Sequence, residues 1–167
     1  MSTPAHPDGY VPTSGGVAFE DGGDHGRILV SGDDTGGRYS LMEYVVAPRP
    51  PALRAALPAY GPHRHHDIEE TFLVRSGRLS FLLGEQLLDL GPGDFVRAPP
   101  GVRHGFANLA DEPAELLVGF HPGGFETLFV RHRSDQHPPP PPLGFVEDAV
   151  REFNSAFEDH PQAGLAE

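Results

Sequence analysis

The sequence predicts an all-β protein, a jelly-roll β-barrel with a short C-terminal helical extension. Three observations predict it. Between Tyr60 and His121, short runs of β-branched, aromatic and aliphatic residues recur at close, regular spacing, as in antiparallel barrels. The 21 glycines and 19 prolines punctuate those runs as turn residues and form no repeat. A helical period emerges near the C-terminus, where Val146, Val150, Phe153 and Phe157 share one face.

Taken in order, residues 1–15 are polar and Gly/Pro-rich and read as a flexible N-terminal segment. Residues 16–130 form the barrel domain. Its strand signals lie at Gly16–Phe19, Arg27–Val30, Arg38–Val46, His63–His65, Glu70–Val74, Arg78–Leu83, Gln86–Leu90, Asp94–Arg97, Arg103–Ala107 and Glu115–Phe120. The stretch from Pro48 to Pro58 reads as a loop that holds a helical turn. Gly84-Glu85, between two apolar runs, suits a tight hairpin. Phe125, Leu128 and Phe129 have helical spacing and predict a short packing helix. Residues 131–142 make a proline-rich spacer, in which Pro138–Pro142 would span about 15 Å as polyproline II. Residues 143–167 form the C-terminal helix and tail, expected to pack on the barrel or on a partner subunit.

Composition excludes several function classes. The chain has 167 residues, enough for one domain with its own core, and no cysteine, so disulfides, thiolate metal sites and thiol nucleophiles are absent. Its formal net charge is −12, and nucleic-acid binding calls for a basic stripe, so no nucleic-acid partner is expected. All 12 basic residues are arginine, which rules out Schiff-base chemistry and a phosphate-loop lysine. No apolar run approaches the roughly 18 residues of a membrane span. Met1 to Gly9 shows neither the basic start nor the apolar stretch of a secretory signal, so a cytoplasmic location without membrane contact is expected.

Two segments carry the chemistry. In Pro62–Gly77, His63 and His65 lie two residues apart, so on a strand both imidazoles point the same way. Glu70 shares a face with Phe72 and Val74. If that face is the core, a carboxylate is buried there, which is costly unless it is paired or binds a metal. In Gly93–Asn108, proline and glycine build a turn into a strand that puts His104, Phe106 and Asn108 on one face. Three imidazoles and one carboxylate suit a single divalent ion of iron, manganese, nickel, cobalt or zinc.

The first segment resembles the first cupin motif, a His-x-His followed by a glutamate and, seven positions on, a glycine. Glu70 to Gly77 has that spacing, which selects Glu70 over Glu69. The motif's leading glycine departs from the pattern, since Gly61 lies unusually close to His63. The second segment matches the second motif at Gly93, Pro99, Gly101, His104 and Asn108. The resemblance spans about Tyr44 to Phe129, and within it Val118–Glu126 is similar to the end of quercetin 2,3-dioxygenase-like single-domain cupins. It implies a metal held by His63, His65, Glu70 and His104, with Glu70 also able to leave the ion and act as a catalytic base. It implies a dioxygenase acting on a flavonol-like, phenolic or enol-type small molecule. Two alternatives stay open: a non-oxidative zinc cyclase or isomerase of aromatic polyketide metabolism, and a small-ligand binder without chemistry. Proteins of this kind commonly pair, so a homodimer is expected.

Phe72, Phe81, Phe95 and Phe106 are expected to fill the barrel, and some of them to line a substrate pocket at the metal, with Met42 and Tyr44 reaching it from one face of their strand. Asn108 is expected to be structural. Arg103, His66 and His121 are expected to point away from the site.

Overall fold

The computed structural model of the chain describes residues 9–21, 23–48 and 60–131. The expected helical turn in the 48–58 loop, the proline spacer beyond Arg131 and the C-terminal helix lie outside these residues. Among the described residues ten strands form two antiparallel sheets: β1 Val17–Asp21, β2 Asp24–Val30, β3 Ser40–Val46, β4 Tyr60–His63, β5 Glu69–Ser76, β6 Leu79–Leu83, β7 Gln86–Leu90, β8 Phe95–Ala98, β9 His104–Ala107 and β10 Ala114–His121. One sheet has the order β1-β2-β3-β10-β5-β8 and the other β4-β9-β6-β7. The all-β jelly roll is thus present, closed at one end by a short helix, α1, Thr127–Arg131.

Alternation builds the core. Along β3, Ser40, Met42, Tyr44 and Val46 point inward while Leu41, Glu43 and Val45 are half-buried on the outer face. β5 repeats the pattern with Glu70, Phe72 and Val74 inside, and β10 supplies Leu116, Val118 and Phe120. The registers Val118↔Met42, Val118↔Phe72 and Phe72↔Val96 stack these side chains into one layer. Phe81 and Phe106 meet Phe72 from the opposite sheet, with ring centroids 4.9 and 5.7 Å away. Burying such a ring contributes about 1.5–3 kcal/mol, so these aromatics hold the two sheets together.

Two tight places follow from the sequence. Leu83 pairs with Gln86, which leaves Gly84-Glu85 as the two-residue hairpin loop. Gly77 ends β5 at φ +77, and a Cβ there would stand 2.5 Å from the Pro113 carbonyl oxygen, so only glycine fits the crossing of this turn with the start of β10.

Four expectations are corrected. Phe95 does not fill the barrel; it is 62% exposed, because β8 alternates Phe95 and Arg97 outward with Val96 and Ala98 inward. The strand at His63–His65 ends at His63, so His65 sits in the connection to β5. The predicted helix begins only at Thr127, which leaves Phe125 in the turn before it. Residues 12–15 of the N-terminal segment are tied down, since the Arg27 guanidinium donates to the carbonyls of Pro12, Thr13 and Gly15.

Candidate metal centre

Both sheets contribute to one cluster. β4 and β9 pair at His63↔His104, which sets two imidazoles side by side with ring centroids 4.5 Å apart. β5 faces them from the other sheet and aims Glu70 into the barrel. His65 reaches the cluster from the connection after β4, where its carbonyl accepts the N–H of Gly101 at 2.7 Å. That bond ties the first motif to the turn of the second. The donor atoms of His63, His65, Glu70 and His104 all lie within 4.8 Å of one another.

Glu70 Oε2 is the hub. The Nε2 atoms of His104, His65 and His63 lie 2.9, 3.3 and 4.0 Å from it. The contact with His65 lacks the alignment of a hydrogen bond, so its buried Nε2 has no hydrogen-bond partner among the described residues. Donors at about 2.0–2.2 Å from a common ion stand roughly 2.8–3.6 Å apart at octahedral or tetrahedral angles, so the cluster is close to chelating spacing. His104 Nδ1 lies 2.9 Å from the Val102 carbonyl. An N–H at Nδ1 donating there leaves the Nε2 lone pair facing Glu70, the tautomer a metal ligand needs. The chemistry of the donor set, the orphaned His65 nitrogen and the fixed His104 ring all fit a divalent ion.

The charges respond to this crowding. Burial pushes the Glu70 carboxyl up, but the His104 and His65 imidazoles at its oxygens, with the charges of His104 and His63, outweigh it and hold the group below its ordinary value. Burial pulls His104 down, while the hydrogen bond and charge of Glu70 and the Val102 carbonyl raise it overall.

A pocket opens against the cluster. It is lined by Met42, Tyr44, His63, Glu70, Phe72, Phe106, Val118, Phe125 and Phe129, and is partly open to solvent. Among the described residues, His63 and Glu70 are its only ionisable lining groups besides the Tyr44 phenol, whose hydroxyl turns away to Asp24 Oδ2 at 3.3 Å. Of the expected pocket residues, Met42, Tyr44, Phe72 and Phe106 stand on this wall. Phe81 is fully buried behind Phe72, and Phe95 lies on the outer surface. Sequence reasoning missed Val118, Phe125 and Phe129. The alternation of β10 points Val118 inward, so it was findable, whereas the two phenylalanines depend on how the turn after β10 folds back over the barrel mouth.

The neighbours expected to be bystanders are placed accordingly. Asn108 Nδ2 donates to the carbonyls of Val46 and Glu112 and its Oδ1 accepts the N–H of Ala110, a structural corner. His66 and His121 are exposed, His121 stacking on Tyr39. Arg103 departs from the expectation of a surface residue: it is half-buried, with its Nε enclosed.

Comparison with known proteins agrees with this architecture. No curated protein matches the chain. Among solved structures, an RmlC-like cupin from Shewanella frigidimarina is 17% identical, covers 76% of this chain and 99% of its own, and aligns with a TM-score of 0.57. A predicted oxalate decarboxylase from Thermotoga maritima is 15% identical over 67% of this chain and 97% of its own, with a TM-score of 0.56. KdgF from a Halomonas species is 20% identical over 65% and 89%, with a TM-score of 0.52. At these identities the likeness concerns the fold. Residues 57–120 match the cupin domain family. The matching segment contains all four donors, and the barrel around it has the cupin fold.

Proposed function

We propose that the chain is a metal-dependent enzyme that oxygenates a phenolic or enol-type small molecule. The observation that carries this reading is the meeting of a three-histidine, one-carboxylate cluster with an aromatic pocket. Among the described residues the pocket wall offers rings to stack on and no arginine or side-chain amide to bind a phosphate or a sugar. An apolar, flat substrate with one ionisable oxygen matches that wall. The stretch whose sequence resembles quercetin-dioxygenase-like cupins supplies Val118 and Phe125 to the same wall, which favours oxygenation.

The residues divide the work. Phe106, Phe125 and Phe129 exclude water and hold the ring plane of the substrate. His63 is 31% exposed in its side chain against 10% for His65 and 1% for His104, so the open side of the cluster faces the pocket past His63. Glu70 borders the pocket and is held ionised, which suits it to accept the phenol or enol proton at Oε2. A divalent ion held by His63, His65, Glu70 and His104 supplies Lewis acidity toward the substrate oxygen and, if redox-active, a route to dioxygen.

Oxygen uptake tests the reading. Protein loaded with iron, manganese, nickel or cobalt is mixed with a flavonol in an oxygen electrode. Consumption of dioxygen in step with substrate loss, abolished in Glu70→Gln, is expected. Equal turnover under anaerobic conditions would replace oxygenation by cyclisation or isomerisation. Tight binding with no conversion under any ion would leave a binding module.

A further inference from the structure

Glu126 is a second buried carboxylate, 1% exposed, with no part in the chemistry above. Its Oε1 accepts the backbone N–H of Gly32 at 2.7 Å and its Oε2 that of Gly124 at 2.7 Å. Gly32 lies in the loop between β2 and β3, and Gly124 belongs to the turn between β10 and α1, so one side chain bridges segments 94 residues apart. Bonds from N–H groups to an ionised carboxylate are among the stronger ones, and a carboxylate is buried only when so satisfied.

The two segments are built to meet. A Cβ on Gly32 would stand 2.7 Å from the Gly124 nitrogen, and one on Gly123 would stand 2.6 Å from the Tyr39 carbonyl, so the backbones pack directly on each other. Gly123 N–H donates to the Gly37 carbonyl at 3.1 Å, a second strut. The β2–β3 loop is braced in turn by Thr35, whose hydroxyl donates to the Tyr39 carbonyl at 2.5 Å and accepts the Tyr39 N–H at 3.2 Å. Between Gly124 and Glu126 stands Phe125. Its ring meets the His65 imidazole edge to face at 4.5 Å and packs on Phe120 at 5.1 Å, and it forms part of the pocket wall. Four residues further on, Phe129 closes the same wall.

We propose that Glu126 is a positioning residue, whose carboxylate clamps the post-β10 turn to the β2–β3 loop and thereby holds Phe125 against His65. The consequence for ion binding rests on the metal reading above; the clamp itself does not. The His65 ring also meets His63 at 4.8 Å, His104 at 5.5 Å and Glu70 Oε2 at 3.3 Å, all members of the donor cluster, so among the described contacts the Phe125 ring at 4.5 Å is the one from outside the cluster that sets the direction of its Nε2. Loosening the clamp frees the ring, widens the pocket mouth and lets His65 swing.

The test uses the full-length chain free of metal, with the His65 ring signals read by NMR in wild type, Glu126→Gln, Phe125→Ala and the double variant. Gln keeps one acceptor and turns an N–H toward one of the two donors, which breaks half the clamp without changing volume. The His65 signals are expected to move in Glu126→Gln toward their position in Phe125→Ala, and the double variant to match Phe125→Ala alone. Leu90→Ala, which weakens the core on β7 far from the clamp, should leave them in place. Zinc affinity should fall about tenfold in Glu126→Gln and no further in the double variant than in Phe125→Ala. His65 signals identical to wild type in Glu126→Gln, or effects on zinc affinity that add, would overturn the proposal. If wild type takes up no zinc, the metal reading fails while the ring signals still decide the clamp. Should Glu126→Gln not fold, amide exchange in wild type decides: Gly32 and Gly124 are expected to be protected, and free exchange at both would refute the clamp.

Discussion

Removing the His104 imidazole exposes the balance of charge inside the barrel. Its ring is 1% exposed and stands 2.9 Å from Glu70 Oε2, itself on a side chain 8% exposed. In His104→Ala the carboxylate keeps His65 at 3.3 Å, misaligned, and His63 at 4.0 Å. Breaking a buried pair while leaving one charge behind costs about 3–5 kcal/mol. For a chain of this length that lowers the melting temperature of the metal-free protein by about 6–20 °C. Most of the cost is the stranded charge, so Glu70→Gln in the same background should restore at least about 1 kcal/mol, although it deletes a further polar contact. Urea unfolding at pH 7 in excess chelator measures all four variants. A loss below about 1 kcal/mol in His104→Ala, or a double variant as unstable as the sum of the singles, would refute the picture of an ionised, tightly coupled pair.

Three other outcomes follow from the same structure. A divalent ion at about 1,000 times its Kd should stabilise the wild type by about 4 kcal/mol in a thermal melt, with the gain reversed by chelator and absent in His63→Ala/His65→Ala. The pH dependence has opposite signs with and without the ion. Glu70 is lowered from 4.5, so its contribution is present above 4.5 and lost as pH falls through the folded value. His104 is raised from 6.5, so its contribution is present below 6.5 and lost as pH rises through the folded value. Metal-free stability from this pair therefore peaks between the two, whereas the ion-induced gain, which needs neutral imidazoles, should be larger at pH 8 than at pH 6 in the same melts. Phe106→Ala should cost about 3–5 kcal/mol in denaturant unfolding, while Phe95→Ala should stay within about 0.5 kcal/mol, because only the first ring lies in the core.

The donor set was legible because strand alternation and motif spacing act on neighbouring residues. Glu70, Phe72 and Val74 share an inward face as the period of two requires, and Gly77 follows where the turn into β6 leaves no room for a side chain. His65 joins the cluster for another reason than the sequence suggested. Strand parity would aim it alongside His63, but β4 has ended, and its bond to Gly101 does the placing. Phe95 misled because hydrophobicity was weighed above alternation; its neighbours Val96 and Ala98 carry the inward face. Phe125, Phe129 and Glu126 were beyond local reading. Their positions depend on the turn after β10 meeting the β2–β3 loop, a contact between distant parts of the chain that no periodicity announces.

The central claim is that one ion is shared by four side chains drawn from both sheets and from the connection after β4. Crystals grown with cobalt or nickel and measured at that metal's absorption edge test it directly. One anomalous peak per chain is expected, about 2.0–2.2 Å from the Nε2 atoms of His63, His65 and His104 and from a Glu70 carboxylate oxygen. A peak elsewhere, or none at the cluster with the ion in excess, would contradict the account.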